Sequence, residues 1–210
     1  MSSTSVTEST IHEIIGWGGE ILVRGLSREQ FFQLASHHPE LRMERESNGN
    51  ILIMTPVKGG SGFRENNLAY YLTDWCKRRQ SGMVFSPSTG FDLPDGSIKS
   101  PDVAWISQEK LAQLTPEQLE EEFVKVVPDF IVELRSQSDP LAKLQDKIAT
   151  TWIVNGVRLA WLIDPYGERV YVYRPEGGPE VIDGFDRDIS GENVLPGFRM
   201  GLQEFKLLNK

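Results

Sequence analysis

The segment PDFIVELRS, residues 128–136, decides how this chain is read, because a strand-forming run there carries an acid and then gives way to helix-start chemistry. Its β-branched and aromatic centre predicts a strand. Ser138-Asp139-Pro140 directly after it reads as the cap and first turn of a helix running to Asn155-Gly156. VRLAWLID (157–164) is almost continuously apolar, as expected for an interior strand covered on both faces, and RVYVYRP (169–175) should return beside it as a hairpin.

Upstream, MVFSPSTGFDL (83–93) and SPDVAWIS (100–107) are strand-like, and Pro94-Asp95-Gly96 between them predicts a turn that pairs them as neighbours. Leu68, Ala69, Leu72, Trp75 and Cys76 describe one apolar helix face ending near Gly82, with the glycines of KGGSG (58–62) ahead of it. SREQFFQLASHH (27–38) predicts a short capped helix stopped by Pro39. RMERESNGNILIMTP (42–56) predicts a β-hairpin around Asn48-Gly49-Asn50. Thr115-Pro116 caps an acidic run to Glu122, an exposed helical excursion that begins at Gln108. This order of helices and strands implies an α/β (α+β) fold with a mixed central β-sheet.

The 210 residues suit one domain, expected over 21–210, with a polar tail over 1–20 that is mostly disordered. No stretch is apolar enough for a membrane span, and the lone Cys76 excludes an internal disulfide or a cysteine zinc cluster, so a cytoplasmic protein is expected. The formal net charge of -8 runs against a simple basic nucleic-acid binder. Lys77, Arg78 and Arg79 form the one basic cluster and read as the solvated end of a helix. His12, His37 and His38 lack metal-ligand spacing and read as surface residues, while Trp152 and Trp161 read as core.

Side chains alternate along a strand, so Glu133 and Arg135 should share a polar face behind the apolar face of Val132 and Leu134. Asp129 shares that face but lies about 13 Å away, beyond the reach of two ligands to one ion. Asp102, at the entry of another strand, is the better partner, because adjacent strands lie only about 4.8 Å apart. The two acids together suggest a site for a hard divalent cation, although a turn Asp and a solvated strand Glu fit the same pattern.

These segments, together with TPVKGGSG (55–62), STGFDLPDG (88–96), LQDKIATTWIVNGVRLAWLIDP (144–165) and LPGF (195–198), resemble the Uma-two family. That family comprises bacterial restriction endonuclease-like proteins of the PD-(D/E)XK nuclease superfamily, and the likeness runs from about Leu26 to Leu208. It implies a restriction endonuclease-like core with helices flanking the sheet, and Asp102, Glu133 and the Leu134 carbonyl as ligands of Mg²⁺, with Mn²⁺ as substitute. It further implies DNA as substrate and hydrolysis of its phosphodiester bonds; a homodimer would suit a duplex. The superfamily pattern has lysine where this chain has Arg135, which cannot give up a proton. Lys147 matches the lysine of the family's LQxK element and is the preferred basic group, with Arg135 as an electrostatic helper or ion-pair partner. Glu44 matches a family glutamate before the glycine turn. Glu65 stands where relatives tend to have asparagine; both acids are accessory candidates. A nuclease-fold module that binds nucleic acid or a protein with little or no catalysis is the alternative.

Overall fold

The computed structural model describes residues 20–23 and 25–207, so the expected tail up to residue 19 and His12 lie outside the described residues. Strand β1 (Glu20–Val23) opens the described chain. Ser27 then caps α1 (Arg28–His37) through a reciprocal box: its hydroxyl accepts from the Gln30 N–H and the Gln30 side chain accepts from the Ser27 N–H. The 42–56 segment folds as the expected hairpin of β2 (Arg42–Arg45) and β3 (Ile51–Met54), with Gly49 at φ +89° supplying the turn geometry.

Helix α2 (Gly59–Arg79) carries the predicted apolar face inward, but the KGGSG glycines form its first turn instead of preceding it. Strand β4 (Gly82–Phe85) and β7 (Val103–Ser107) pair antiparallel as expected. The 83–93 segment is nevertheless divided between two sheets. Phe91-Asp92, β5, turns back at once and pairs with β6 (Ile98–Lys99), which joins β2. The cause is local: the Gly96 N–H donates to the Leu93 carbonyl at 3.0 Å and the Leu93 N–H to the Ser97 carbonyl at 2.9 Å, closing the turn on itself.

The polar excursion contains α3 (Gln108–Leu111) and α4 (Pro116–Glu121), the latter with a Thr115–Gln118 capping box. Then come β8 (Phe130–Leu134) and α5 (Leu141–Lys147), which runs into a π-helical turn, Ile148–Ile153. Ser138 and Asp139 do not cap α5. Pro140 holds the cap position, and the Asp139 carboxylate turns back to accept from the Ser136 N–H at 3.0 Å. The chain continues through β9 (Leu159–Asp164), β10 (Arg169–Tyr173), β11 (Glu180–Asp183), β12 (Asp188–Ser190), β13 (Arg199–Gly201) and a 3-10 turn, Leu202–Phe205.

Among the described residues, the central sheet has the order β11-β10-β9-β8-β7-β4 and is mixed, with β8 and β9 parallel across the α5 crossover and the other pairs antiparallel. Helices flank it, as expected of this class. Val103, Trp105, Val132, Leu134 and Trp161 pack with α2 on one face. On the other, Ala104, Ile106, Ile131 and Leu162 pack with Ile148 and Trp152 of the π-helical turn. A smaller second sheet, β1-β3-β2-β6-β5, packs around Phe31, Met43, Ile51 and Ile98. The expected polar face of β8 is therefore covered: Glu133 is buried on the side of Ile131. No described helix is long and apolar enough to cross a membrane.

Asp129, set aside as a ligand on distance, has other partners. Its carboxylate accepts from the Ser107 N–H at 2.9 Å and pairs with Lys110 at 3.2 Å and Arg158 at 3.4 Å, tying the foot of β8 to β7 and to the approach of β9. Because both cations reach water, Asp129→Ala leaves them solvated and loses mainly charged hydrogen bonds. Urea unfolding should show a loss of about 2–3 kcal/mol, and an unchanged midpoint would reject this anchoring role.

Candidate functional site

The register Val103↔Val132 of β7 and β8, continued by one pair, sets Asp102 opposite Glu133. The strand entry thus puts both acids where the ends of the interior strands β7 and β8 meet β2 and the chain after β6 of the second sheet. Asp102 Oδ2 accepts from the Leu134 N–H at 2.6 Å, and Arg42 Nη2 lies 3.5 Å from Oδ1. A strand residue sends its N–H and C=O from the same edge, so the Leu134 carbonyl faces the Asp102 side as well.

Glu133 Oε1 receives two donors: Trp152 Nε1–H at 2.8 Å and Lys147 Nζ at 2.9 Å. The same ammonium reaches Glu44 Oε1 at 3.1 Å. Glu44, on β2, also accepts from the Ser100 N–H at 3.1 Å and pairs with the buried Lys99 at 3.3 Å. Lys99 bridges on to Glu46 at 2.5 Å. The result is a buried run of alternating charge that joins both sheets.

Electrostatics divide these acids into two kinds. Burial works against the charge of Glu44, but Lys147, Lys99 and the Ser100 N–H outweigh it and hold its carboxyl down at about 2. Burial pushes Asp102 up to about 6, helped by the negative charge of Glu65. Burial likewise pushes Glu133 up to about 7, with Asp102 and Glu44 adding to the rise and Lys147 opposing it. In both, the cost of burial outweighs the nearby cations, Lys147 beside Glu133 and Arg42 beside Asp102. Glu65, on α2, is raised by burial against the pull of Arg42. Burial disfavours the Lys147 ammonium, yet Glu133 and Glu44 more than reverse this, so the group is held protonated.

All five groups line one cleft of about 860 Å³, which also takes in Arg42, Arg64 and Tyr166. A smaller cavity of about 330 Å³ beside Trp75, Arg78, Arg79 and Gly197 holds none of them. Arg135 is not brought to the acids. Its guanidinium grips both oxygens of Asp164 at 3.1 Å, donates to the Asp139 carbonyl at 3.0 Å and lies over the Tyr166 ring. The ion-pair reading of Arg135 is the one its geometry supports, because residue 135 follows the end of β8 and turns toward the β9 edge. His37 and His38 are exposed, and Lys77, Arg78 and Arg79 form the last turn of α2.

Sequence reasoning missed Trp152 as a donor, Arg42 and Lys99. Trp152 was legible only as core, which it also is, since it is fully buried. Arg42 carries a buried Nε without a hydrogen-bond partner, and only its two-residue spacing from Glu44 on a strand, hence a shared face, hinted at it.

Among the described residues, no group of three or more His, Cys, Asp or Glu side chains is arranged to hold a metal ion. Two buried, electron-rich carboxylates and a backbone carbonyl nevertheless fit Mg²⁺, a hard ion that uses one or two carboxylates and completes its shell with water and phosphate oxygen. The raised acids are the supporting observation, since an added cation would offset the burial that Lys147 and Arg42 do not fully counter.

A solved structure described as "a putative nuclease belonging to DUF820 from Anabaena variabilis ATCC 29413" matches with a TM-score of 0.71 and 19% identity, over 86% of this chain and 97% of that one. At that identity the likeness establishes the fold. No curated protein matches the chain. The profile of the Uma2 (Uma-two) family, described as "Putative restriction endonuclease", matches residues 28–203, which include every residue of the site, and the chain belongs to that family.

Proposed function

We propose that this protein is a Mg²⁺-dependent endonuclease that hydrolyses DNA phosphodiester bonds. The observation that carries the reading is the pairing of Asp102 and Glu133 on adjacent strands, both buried and both raised, with a protonated Lys147 beside them. Asp102, Glu133 and the Leu134 carbonyl would hold the ion. When bound, Mg²⁺, or Mn²⁺ in its place, supplies a Lewis acid for the phosphate and lowers the pKa of its water.

The chain's own groups do the rest. Lys147 cannot take a proton from water, because two carboxylates hold it charged; its role is to offset the negative charge that builds on the phosphate. Its side chain is 20% exposed and lines the cleft. Arg42, with an unpaired Nε and a weak contact to Asp102, is placed to attract the backbone of the substrate. Glu44 fixes Lys147, and Leu134 N–H fixes Asp102.

The excess negative charge of the whole chain does not oppose this reading, because recognition is local to the cleft and the ion contributes charge of its own. The test is nicking of supercoiled plasmid by purified protein with Mg²⁺ or Mn²⁺. Cleavage that stops with chelator and returns with excess metal is expected. Metal binding without cleavage of DNA would instead favour a module that binds nucleic acid or a protein partner, a reading motivated by the loss of the usual lysine position to an Arg135–Asp164 pair.

A further inference from the structure

We propose that Trp152, positioned by the π-helical turn after Lys147, is a positioning residue that aims the Glu133 carboxylate at the divalent cation. This inference rests on the metal reading above.

Trp152 Nε1–H and Lys147 Nζ end on the same oxygen of Glu133, at 2.8 and 2.9 Å, although they are five residues apart in the chain. On an α-helix residues five apart stand about 140° from each other and cannot converge on one atom beside the helix. A π-helical turn, whose bonds run from i to i+5, brings such a pair toward one face. The turn occupies Ile148–Ile153, between the two donors and through the second of them. A π-helical turn is rare, and here its geometric product, at the end of α5, is convergence on one buried carboxylate.

Two donors on Oε1 fix the rotation of the carboxyl group about its last bond and leave Oε2 for a cation. One donor alone would leave a swinging carboxylate. The other tryptophans differ. Trp105 and Trp161 are buried with no partner for Nε1, and Trp75 donates to the Pro196 carbonyl at 3.3 Å. Among the described residues, Trp152 is thus the tryptophan whose N–H ends on a carboxylate, and that carboxylate is the proposed ligand.

The experiment compares Trp152→Phe with Trp161→Phe in the full chain. Each removes an indole from the fully buried core, but only the first removes a donor to Glu133. Mn²⁺ titration calorimetry should show affinity weakened about 10- to 100-fold in Trp152→Phe and unchanged in Trp161→Phe. Equal Mn²⁺ affinity in Trp152→Phe and the unsubstituted protein would overturn the positioning role while leaving the metal site standing. An unsubstituted protein that binds no Mn²⁺ would overturn both.

Should Trp152→Phe fail to fold, the unsubstituted, ¹⁵N-labelled protein gives the answer. Its five indole N–H signals, one per tryptophan, can be assigned by elimination with phenylalanine in turn at positions 17, 75, 105 and 161. Mg²⁺ should move the Trp152 signal, and a Trp152 signal unmoved at saturating Mg²⁺ would overturn the proposal.

Discussion

Glu133→Gln is expected to lose metal-dependent cleavage while gaining stability in metal-free buffer at alkaline pH. The amide is isosteric, and its oxygen still accepts from Trp152 and Lys147, so packing is retained. The loss on DNA should reach about 10²- to 10³-fold, the scale seen when one group that stabilises developing charge is removed. The stability gain follows from linkage. The Glu133 carboxyl titrates near 7 when folded and near its ordinary 4.5 when unfolded, so the folded state binds more protons in that window. Stability of the unsubstituted, metal-free protein therefore falls as pH rises through it, by on the order of 3 kcal/mol. Glutamine has no charge to desolvate and removes that fall, so the variant should outlast the parent at pH 8 and match it near pH 4. Thermal melts with and without Mg²⁺ give a second readout, since the ion should raise the melting temperature of the parent at pH 8 and have little effect on the variant. A glutamine variant that cleaves like the parent would remove Glu133 from the site.

Lys147→Met should be the most destabilising change in the cleft. Methionine matches the aliphatic stem and deletes the ammonium shared by Glu44 and Glu133, both buried. Glu44 keeps Lys99, but Glu133 keeps only the neutral Trp152 donor. Breaking a buried pair from one side costs about 3–5 kcal/mol, because the remaining charge has neither water nor partner. The loss should be greatest at pH 8 and shrink toward pH 5, where Glu133 takes up a proton. Urea midpoints across that range check it, and a variant as stable as the parent at pH 8 would show that the ammonium is not the counter-ion of the run. Cleavage per folded molecule should also drop about 100-fold, since among the described residues no other cation pairs with Glu133.

Arg135 and Trp152 show where sequence reasoning reached its limit. Alternation along PDFIVELRS assigns Glu133 and Arg135 to one face, but it applies only while the strand lasts. Arg135 lies just past β8, where Asp164 at the end of β9 and the Asp139 carbonyl capture it. Trp152 was invisible as a donor for a related reason. Its five-residue spacing from Lys147 means opposite faces on the regular helix that periodicity assumes, and the π-helical turn changes that arithmetic. The divided 83–93 segment has the same origin, since a closed turn at Leu93–Ser97 sent Phe91-Asp92 to a sheet that hydrophobic pattern could not distinguish from its neighbour.

The sequence by itself determined most elements and several of their faces: the α2 stripe, the interior strands β8 and β9, the hairpin at Gly49, and the place of Asp102 at the entry of one strand and of Glu133 within another. Such features depend on spacing within a few residues, which the chain carries locally. Only the tertiary structure decided what each charge meets. The Glu44–Lys147 contact spans 103 residues and joins the second sheet to α5, and the opposite shifts of Glu44 and Glu133 arise from which cations burial leaves beside each. A carboxylate's chemistry is set by its desolvation and its partners, and neither exists until the sheets are packed.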